Sequence, residues 1–415
     1  MKSNKKNPYI KKSWKKICIV TISVVLGLVV ILVLAGFLFI KTSSQFGAMP
    51  TGARLKNMQA SKHYKNEKFV NTQYTRLAMT FGNTMVSMWE FLKGSVEREP
   101  RGAIPVRKVQ LSELPDNAPS VIWLGHSSIL IKLQKSLFLV DPVFSMRISP
   151  ISFIGPKRFT SEMAITVQDF IDYGRALSKE NPEEIIDAIF ITHDHYDHLD
   201  YKSILALQKI TKKFYVPLGV GAHLERWGII PEKIVEMDWW QESVLNNSGN
   251  RDKNIKVVSA PTRHFSGRSI GAQNSTQWTS WVIIGQKYKI YCGGDSGYST
   301  NFKQIGKKYG PFDITMLESG AYSKYWPDIH MAPEDTVQAH LDLRGKVLLP
   351  IHWSMFNLSL HSWVEPIERL MKKAELLKVR VANPVIGEPV NLLPANAKIK
   401  QNAWWRSVDK ADLTQ

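Results

Sequence analysis

Residues 190 to 200 read FITHDHYDHLD, and no other stretch limits the fold as sharply. Three of the eleven histidines and two aspartates fall within the six residues from His193 to His198. A helix would spread consecutive side chains around its axis with a period of 3.6, so a set this dense converges on one point only from a loop. The preceding DAIFI, Asp187 to Ile191, is short, apolar and rich in β-branched residues, the pattern of a buried strand. The fold therefore has to carry a core strand that runs out into a polar loop.

Three more polar residues follow apolar runs in the same way: His264 after IKVVSAPTRH begins, Asp295 in KIYCGGD and His352 in KVLLPIH. From Ser120 onward, short strands alternate with turns. VIWLGHSSILIKLQKSLFLVDP predicts a hairpin turning near Gln134 to Ser136 and ending at Asp141. WTSWVIIGQKYKIYCGGDSG repeats the plan, with a turn at Gly285 to Lys287 and Asp295 just past its second strand. Helical patterns lie at Tyr201 to Lys209, Gly221 to Trp227, Pro333 to Leu343 and Trp363 to Leu377. Strands clustered in two halves with helices between them predict an α/β (α+β) fold: two mixed sheets packed face to face and covered outside by helices.

The segments WLGHSS, DPVFS, GPKRF, FITHDHYDHLD, RHFSGR, GGDSGY, HMAPEDTVQAHLDL and LPIHW run in one order over about 240 residues, from Ser120 to Trp353. With them the chain resembles a metallo-β-lactamase-fold hydrolase, and within that superfamily the branch that includes N-acyl-phosphatidylethanolamine phospholipase D. The resemblance implies a four-layer αββα sandwich. It also implies two zinc ions, one held by His193, His195 and His264, the other by Asp197, His198 and His352, with Asp295 bridging both. Imidazole and carboxylate suit zinc, although iron or manganese also takes such N/O sites. Two such metals about 3.5–4 Å apart can share a hydroxide that is nucleophilic at neutral pH, so no protein nucleophile is required. His330 matches a histidine that can donate to a developing oxyanion, or else is a helix-entry residue, which makes Asp295 and His330 the catalytic candidates. Substrate-facing candidates are His126, which either lines the site or bonds within the core, Tyr196, and Lys157 with Arg158, which either hold phosphate or cap a loop. Asp194 and Asp141 read as supporting residues. The implied activity is a binuclear metal-dependent phosphodiesterase acting on a phospholipid-like substrate. The alternatives are a metal-dependent lactonase and a non-catalytic metal-binding membrane protein. A structural zinc site, normally closed and four-coordinate without a bridging carboxylate, fits the last poorly.

The amino terminus is different in kind. Seven lysines and no acid precede ICIVTISVVLGLVVILVLAGFLFI, 24 uncharged residues from Ile17 to Ile40. At 1.5 Å per residue this crosses a hydrocarbon core of about 30 Å, and it exceeds the usual signal-peptide core. The expected order is a basic cytoplasmic N-terminus (1–16), a transmembrane helix (17–40), a connector (41–105) containing one amphipathic helix, the hydrolase domain (106–400) and a tail (401–415). The lysines before the span place the catalytic domain outside the cytoplasm. Of the net charge of +18, eight positive charges belong to residues 1–41, which leaves +10 on the rest, interleaved with acids. With no basic run interleaved with aromatics, this argues against a nucleic-acid groove.

Overall fold

The computed structural model describes residues 8–77, 80–94, 96–177, 184–245, 254–392 and 402–408. The first seven residues of the basic N-terminus, residues 393–400 at the end of the expected domain, and 401 and 409–415 of the tail lie outside the described residues. Two compact units result, Met1–Phe46 and Gly47–Gln415. In the first, a single helix α1 (Pro8–Thr42) contains the expected span. Its apolar side chains from Ile17 to Phe39 are exposed, and it is the one helix among the described residues long and apolar enough to cross a membrane.

In the second unit the order is α2 (Gly52–Gln59), β1 (Tyr64–Lys65), β2 (Lys68–Phe69), α3 (Phe81–Lys93), β3 (Ser120–Trp123), β4 (Ile129–Leu133), β5 (Ser136–Val140), α4 (Val167–Leu177) and β6 (Ile186–Phe190). Next come α5 (Tyr201–Leu207), β7 (Thr211–Pro217), α6 (Gly221–Arg226), β8 (Ile234–Met237), β9 (Glu242–Leu245), β10 (Ile255–Ala260), β11 (Ser280–Ile284) and β12 (Lys289–Cys292). The chain ends with α7 (Asn301–Tyr309), β13 (Ile314–Glu318), α8 (Pro333–Asp342), β14 (Leu348–Ile351), α9 (Glu365–Leu376), β15 (Pro389–Asn391) and α10 (Trp405–Val408).

Two mixed sheets form, as the strand pattern predicts. One has the order β15-β3-β4-β5-β6-β7-β8, the other β14-β13-β12-β11-β10-β9. Both expected hairpins are present: β4 pairs with β5 across Gln134 and Lys135, and β11 with β12. Every residue of β3, β4, β5, β6, β13 and β14 is buried, as expected where both faces of a sheet are covered. The sheets meet through Phe190 of β6, whose ring centroid lies 5.5 Å from that of Trp281 on β11. The Trp281 indole N–H donates to the Ile191 carbonyl at 3.0 Å, so the strand feeding the histidine loop is tied to the opposite sheet. Helices supply the outer layers: α8 packs on β13 and β14 with α7 and α9 beside it, while α6 contacts β8.

The pairing directions decide where the polar residues go. In the first sheet β3, β5 and β6 point the same way, since β3 and β5 are each antiparallel to β4 and β5 is parallel to β6. In the second, β10, β12, β13 and β14 share one direction by the same reasoning. Residues following those strands therefore collect at one edge of each sheet. Trp404 and Trp405, from the expected tail, are buried in the main core.

Candidate metal centre

The loop after β6 delivers His193, His195, Asp197 and His198, while β10, β12 and β14 deliver His264, Asp295 and His352. All seven come together. His195 Nδ1 lies 2.9 Å from His193 Nε2 and 3.4 Å from His264 Nε2. On the other side, His352 Nε2 is 3.4 Å from Asp197 Oδ2, and His198 Nε2 is 3.6 Å from the same oxygen. Asp295 stands between these groups. Its Oδ2 is 3.9 Å from His193, 3.7 Å from His264 and 3.2 Å from His352, while Oδ1 is 3.2 Å from His198.

The far nitrogens of His198, His264 and His193 are tethered, which fixes which nitrogen of each faces inward. His198 Nδ1 donates to Asp141 at 2.8 Å, and Asp141 also accepts from the Thr192 amide and hydroxyl. His264 Nδ1 donates to the Ile329 carbonyl at 2.9 Å, and His193 Nδ1 lies 3.0 Å from the Thr192 hydroxyl. Asp141 is thus a supporting residue, as expected. Asp194 points away from the cluster, accepting from the Gly267 amide and the Thr276 hydroxyl and lying 3.2 Å from His223 Nε2.

Burial and neighbouring charge act on these groups in opposite senses. Burial, helped by adjacent imidazoles, holds His193 well below the usual histidine range. Burial also pulls on His264, and it too stays neutral. Burial opposes charge on His198 as well, but Asp295, Asp197 and Asp141 outweigh it and hold that ring well above the usual range. His352 is likewise pushed up to about 10, against burial, chiefly by Asp295 and Asp197.

The donor set fits a metal pair on a further count. His198 Nε2, Asp295 Oδ1 and His352 Nε2 are buried and make no well-aligned hydrogen bond, although opposite charges lie 3.2–3.6 Å away. Leaving such a group unsatisfied costs about 1–3 kcal/mol, a cost that falls away when a cation binds those lone pairs. His193, His195 and His264 form one cluster able to hold a metal, and His126, Asp197, His198 and His352 another.

Among the other expected residues, His126 joins the cluster: its Nε2 lies 3.0 Å from Asp197 Oδ2 and its ring 4.0 Å from that of His352. His330 lines the same cavity of about 400 Å³ as His195, Asp197, Asp295 and His352. Tyr196 donates to the Arg268 carbonyl and lies under its guanidinium, Lys157 is exposed, and buried Arg158 reaches toward the Phe144 carbonyl. None of these three lines that cavity. Glu318 carries no sequence expectation, yet its Oε2 sits 2.6 Å from His330 Nδ1 while Oε1 accepts from the Ser296 and Met331 amides.

Residues 137–353 match a family profile described as a beta-lactamase superfamily domain. An uncharacterized protein of Mycobacterium tuberculosis is 37% identical over 370 residues, covering 88% of this chain and 92% of the relative. The N-acyl-phosphatidylethanolamine-hydrolyzing phospholipase D 1 of Caenorhabditis elegans is 30% identical over 257 residues, covering 60% of this chain and 67% of the relative. A solved structure, the metallo hydrolase Igni18 of Ignicoccus hospitalis, superposes with a TM-score of 0.49 at 19% identity, covering 66% of this chain and 98% of the other. This chain belongs to the beta-lactamase superfamily and has the metallo-β-lactamase fold.

Proposed function

We propose that the protein is a membrane-anchored, binuclear metal-dependent hydrolase that cleaves a phosphodiester bond in phospholipid-like substrates, in the manner of a phospholipase D. The observation that carries the metal-dependent reading is Asp295, which stands within 4 Å of four imidazoles drawn from both sheets. His193, His195 and His264 would hold one ion, Asp197, His198 and His352 the other, and Asp295 would touch both. Zinc suits these ligands, and iron and manganese are the competitors. Bound there, the metals would supply Lewis acidity and activate a water at neutral pH.

The chain's own residues do the remaining work. Glu318 accepts from His330 Nδ1 and favours the protonated ring, and in that form Nε2–H donates toward the cavity. Water adds to phosphorus, one P–O ester bond breaks, and an alcohol and a phosphomonoester are released. As negative charge builds on the non-bridging oxygens, a donor at His330 gains strength beyond its ground-state contact and so raises turnover.

A lipid substrate is supported by the surroundings of the cavity. Helix α3 reverses the usual pattern, with Phe81 82%, Trp89 67% and Leu92 72% exposed. Its Thr84 lines the cavity, and its Met88, Phe91 and Leu92 line an adjoining apolar groove with Trp326 and Leu358, two residues that the groove and cavity share. The C. elegans relative's name points to the same substrate class. The test is digestion of a phospholipid extract that includes N-acyl-phosphatidylethanolamine, with and without chelator, alongside a lactone panel. Chelator-sensitive release of phosphatidate is expected. Turnover of lactones alone would replace this reading with a lactonase, and no turnover by the metal-loaded protein would leave a binding function.

A further inference from the structure

Among the described residues, the chain between α2 and α3 adds nothing to either large sheet, and it precedes the matched region 137–353, yet it grips two loops of the metal centre. Asn71 makes a two-point contact with the backbone of His264: its Nδ2 donates to the His264 carbonyl at 2.8 Å, and its Oδ1 accepts from the His264 N–H at 3.1 Å. Both partners are backbone groups of fixed polarity, so the orientation of the amide follows from them. A few residues on, the Tyr74 carbonyl accepts from Arg263 Nη2 at 2.7 Å and the Thr75 hydroxyl from Arg263 Nε at 3.1 Å. The Arg76 N–H donates to Asp328 Oδ2 at 2.9 Å, and Asp328 Oδ1 pairs with Arg263 at 3.1 Å.

These contacts close a ring. Asp328 immediately precedes Ile329, whose carbonyl receives the Nδ1–H of His264, and then His330. One short segment thus holds the backbone of His264, the acceptor that orients its ring, and the loop that presents His330. The segment is itself secured by fully buried Met58 and Phe69, which pack with Trp239 and Trp278 in a hydrophobic cluster separate from the main core. The Phe69 N–H also donates to the Asn274 carbonyl at 2.8 Å.

We propose that Asn71 and residues 74–76 are a positioning strap of the metal centre and that Asn71 sets the metal affinity of the half-site formed by His193, His195 and His264. The inference rests on reading His264 as a metal ligand. An amide presents one donor and one acceptor side by side and so matches the N–H and C=O of a single residue. Alanine leaves both backbone groups without that partner, and aspartate sets a carboxylate oxygen against the His264 carbonyl. Partners that orient a ligand from outside typically contribute tenfold to a hundredfold in affinity. Thr72 serves as the control, because its hydroxyl bonds Asn301 and neither loop.

The test is a titration of the zinc-loaded full chain, held in detergent micelles, with a chromophoric chelator, together with circular dichroism of each variant. Asn71→Ala should weaken retention of one ion by about tenfold to a hundredfold, Asn71→Asp should also weaken it, and Thr72→Ala should match the parent. If Asn71→Ala does not fold, Asn71→Asp decides. Retention by the Asn71 variants within about twofold of the parent, or an equal loss in Thr72→Ala, overturns the strap. A parent chain that binds no metal overturns the reading of the centre itself, and the two failures are separable because the parent is measured first.

Discussion

Glu318 Oε2 and His330 Nδ1 lie 2.6 Å apart at the end of β13, with the carboxylate fully buried and the imidazole facing the cavity. Burial disfavours charge on both, yet each favours the charged form of the other, and the balance raises His330 above the ordinary histidine value. The pair orients the ring by the same principle that Asp141 applies to His198.

His330→Ala should therefore lower kcat on a phosphodiester by about 10²–10³-fold if the ring is an oxyanion donor, with metal content unchanged. Glu318→Gln keeps an acceptor and loses the charge, so its kcat should fall between parent and alanine variant. Turnover by His330→Ala within about twofold of the parent would contradict the donor role.

His340 on α8 gives a prediction separate from the metals. It is buried, its Nδ1 lies 2.7 Å from the Thr315 hydroxyl, and burial holds it down to about 4. Between that value and about 6.5 the unfolded chain binds a proton that the folded chain refuses. Stability therefore falls as pH drops through that window, by up to about 3 kcal/mol from this group alone. The thermal midpoint of His340→Gln, which cannot titrate, should drop less than the parent's between about pH 7 and about pH 4.5. Equal drops would show that His340 does not contribute.

The lysines before the apolar span Ile17–Ile40 lead to a prediction about topology. If they remain in the cytoplasm, protease added to cells with their outer layers opened should digest the domain beyond Lys41. Protection until the inner membrane is broken would reverse the orientation.

Much of the centre is legible in the sequence because one rule finds it. A polar residue within a few positions after an apolar run stands at or just past a strand end, and parallel strands bring such ends together. His193, His264, Asp295 and His352 all obey it. Glu318 obeys it too, at the end of ITMLE, but nothing in its spacing separates it from an ordinary buried strand residue. Helix α7 is masked by its composition: Phe302, Ile305 and Tyr309 form its apolar stripe among lysines, and Gly306 interrupts the helical pattern. Asn71 is illegible for another reason. Its contact with His264 spans 193 residues, and no local pattern encodes a pairing at that distance. His126 stood between core and site on sequence grounds, because a strand-end histidine serves either, and its ring lies in contact with the cluster.

The central claim is a two-metal centre bridged by Asp295, and elemental analysis of the purified full chain tests it most directly. The account predicts about two transition-metal ions per chain in the parent, and a larger loss in Asp295→Ala than in any single histidine variant, because Asp295 alone reaches the imidazoles on both sides. One ion or none in the undepleted parent, or an Asp295→Ala variant that keeps both, would contradict it.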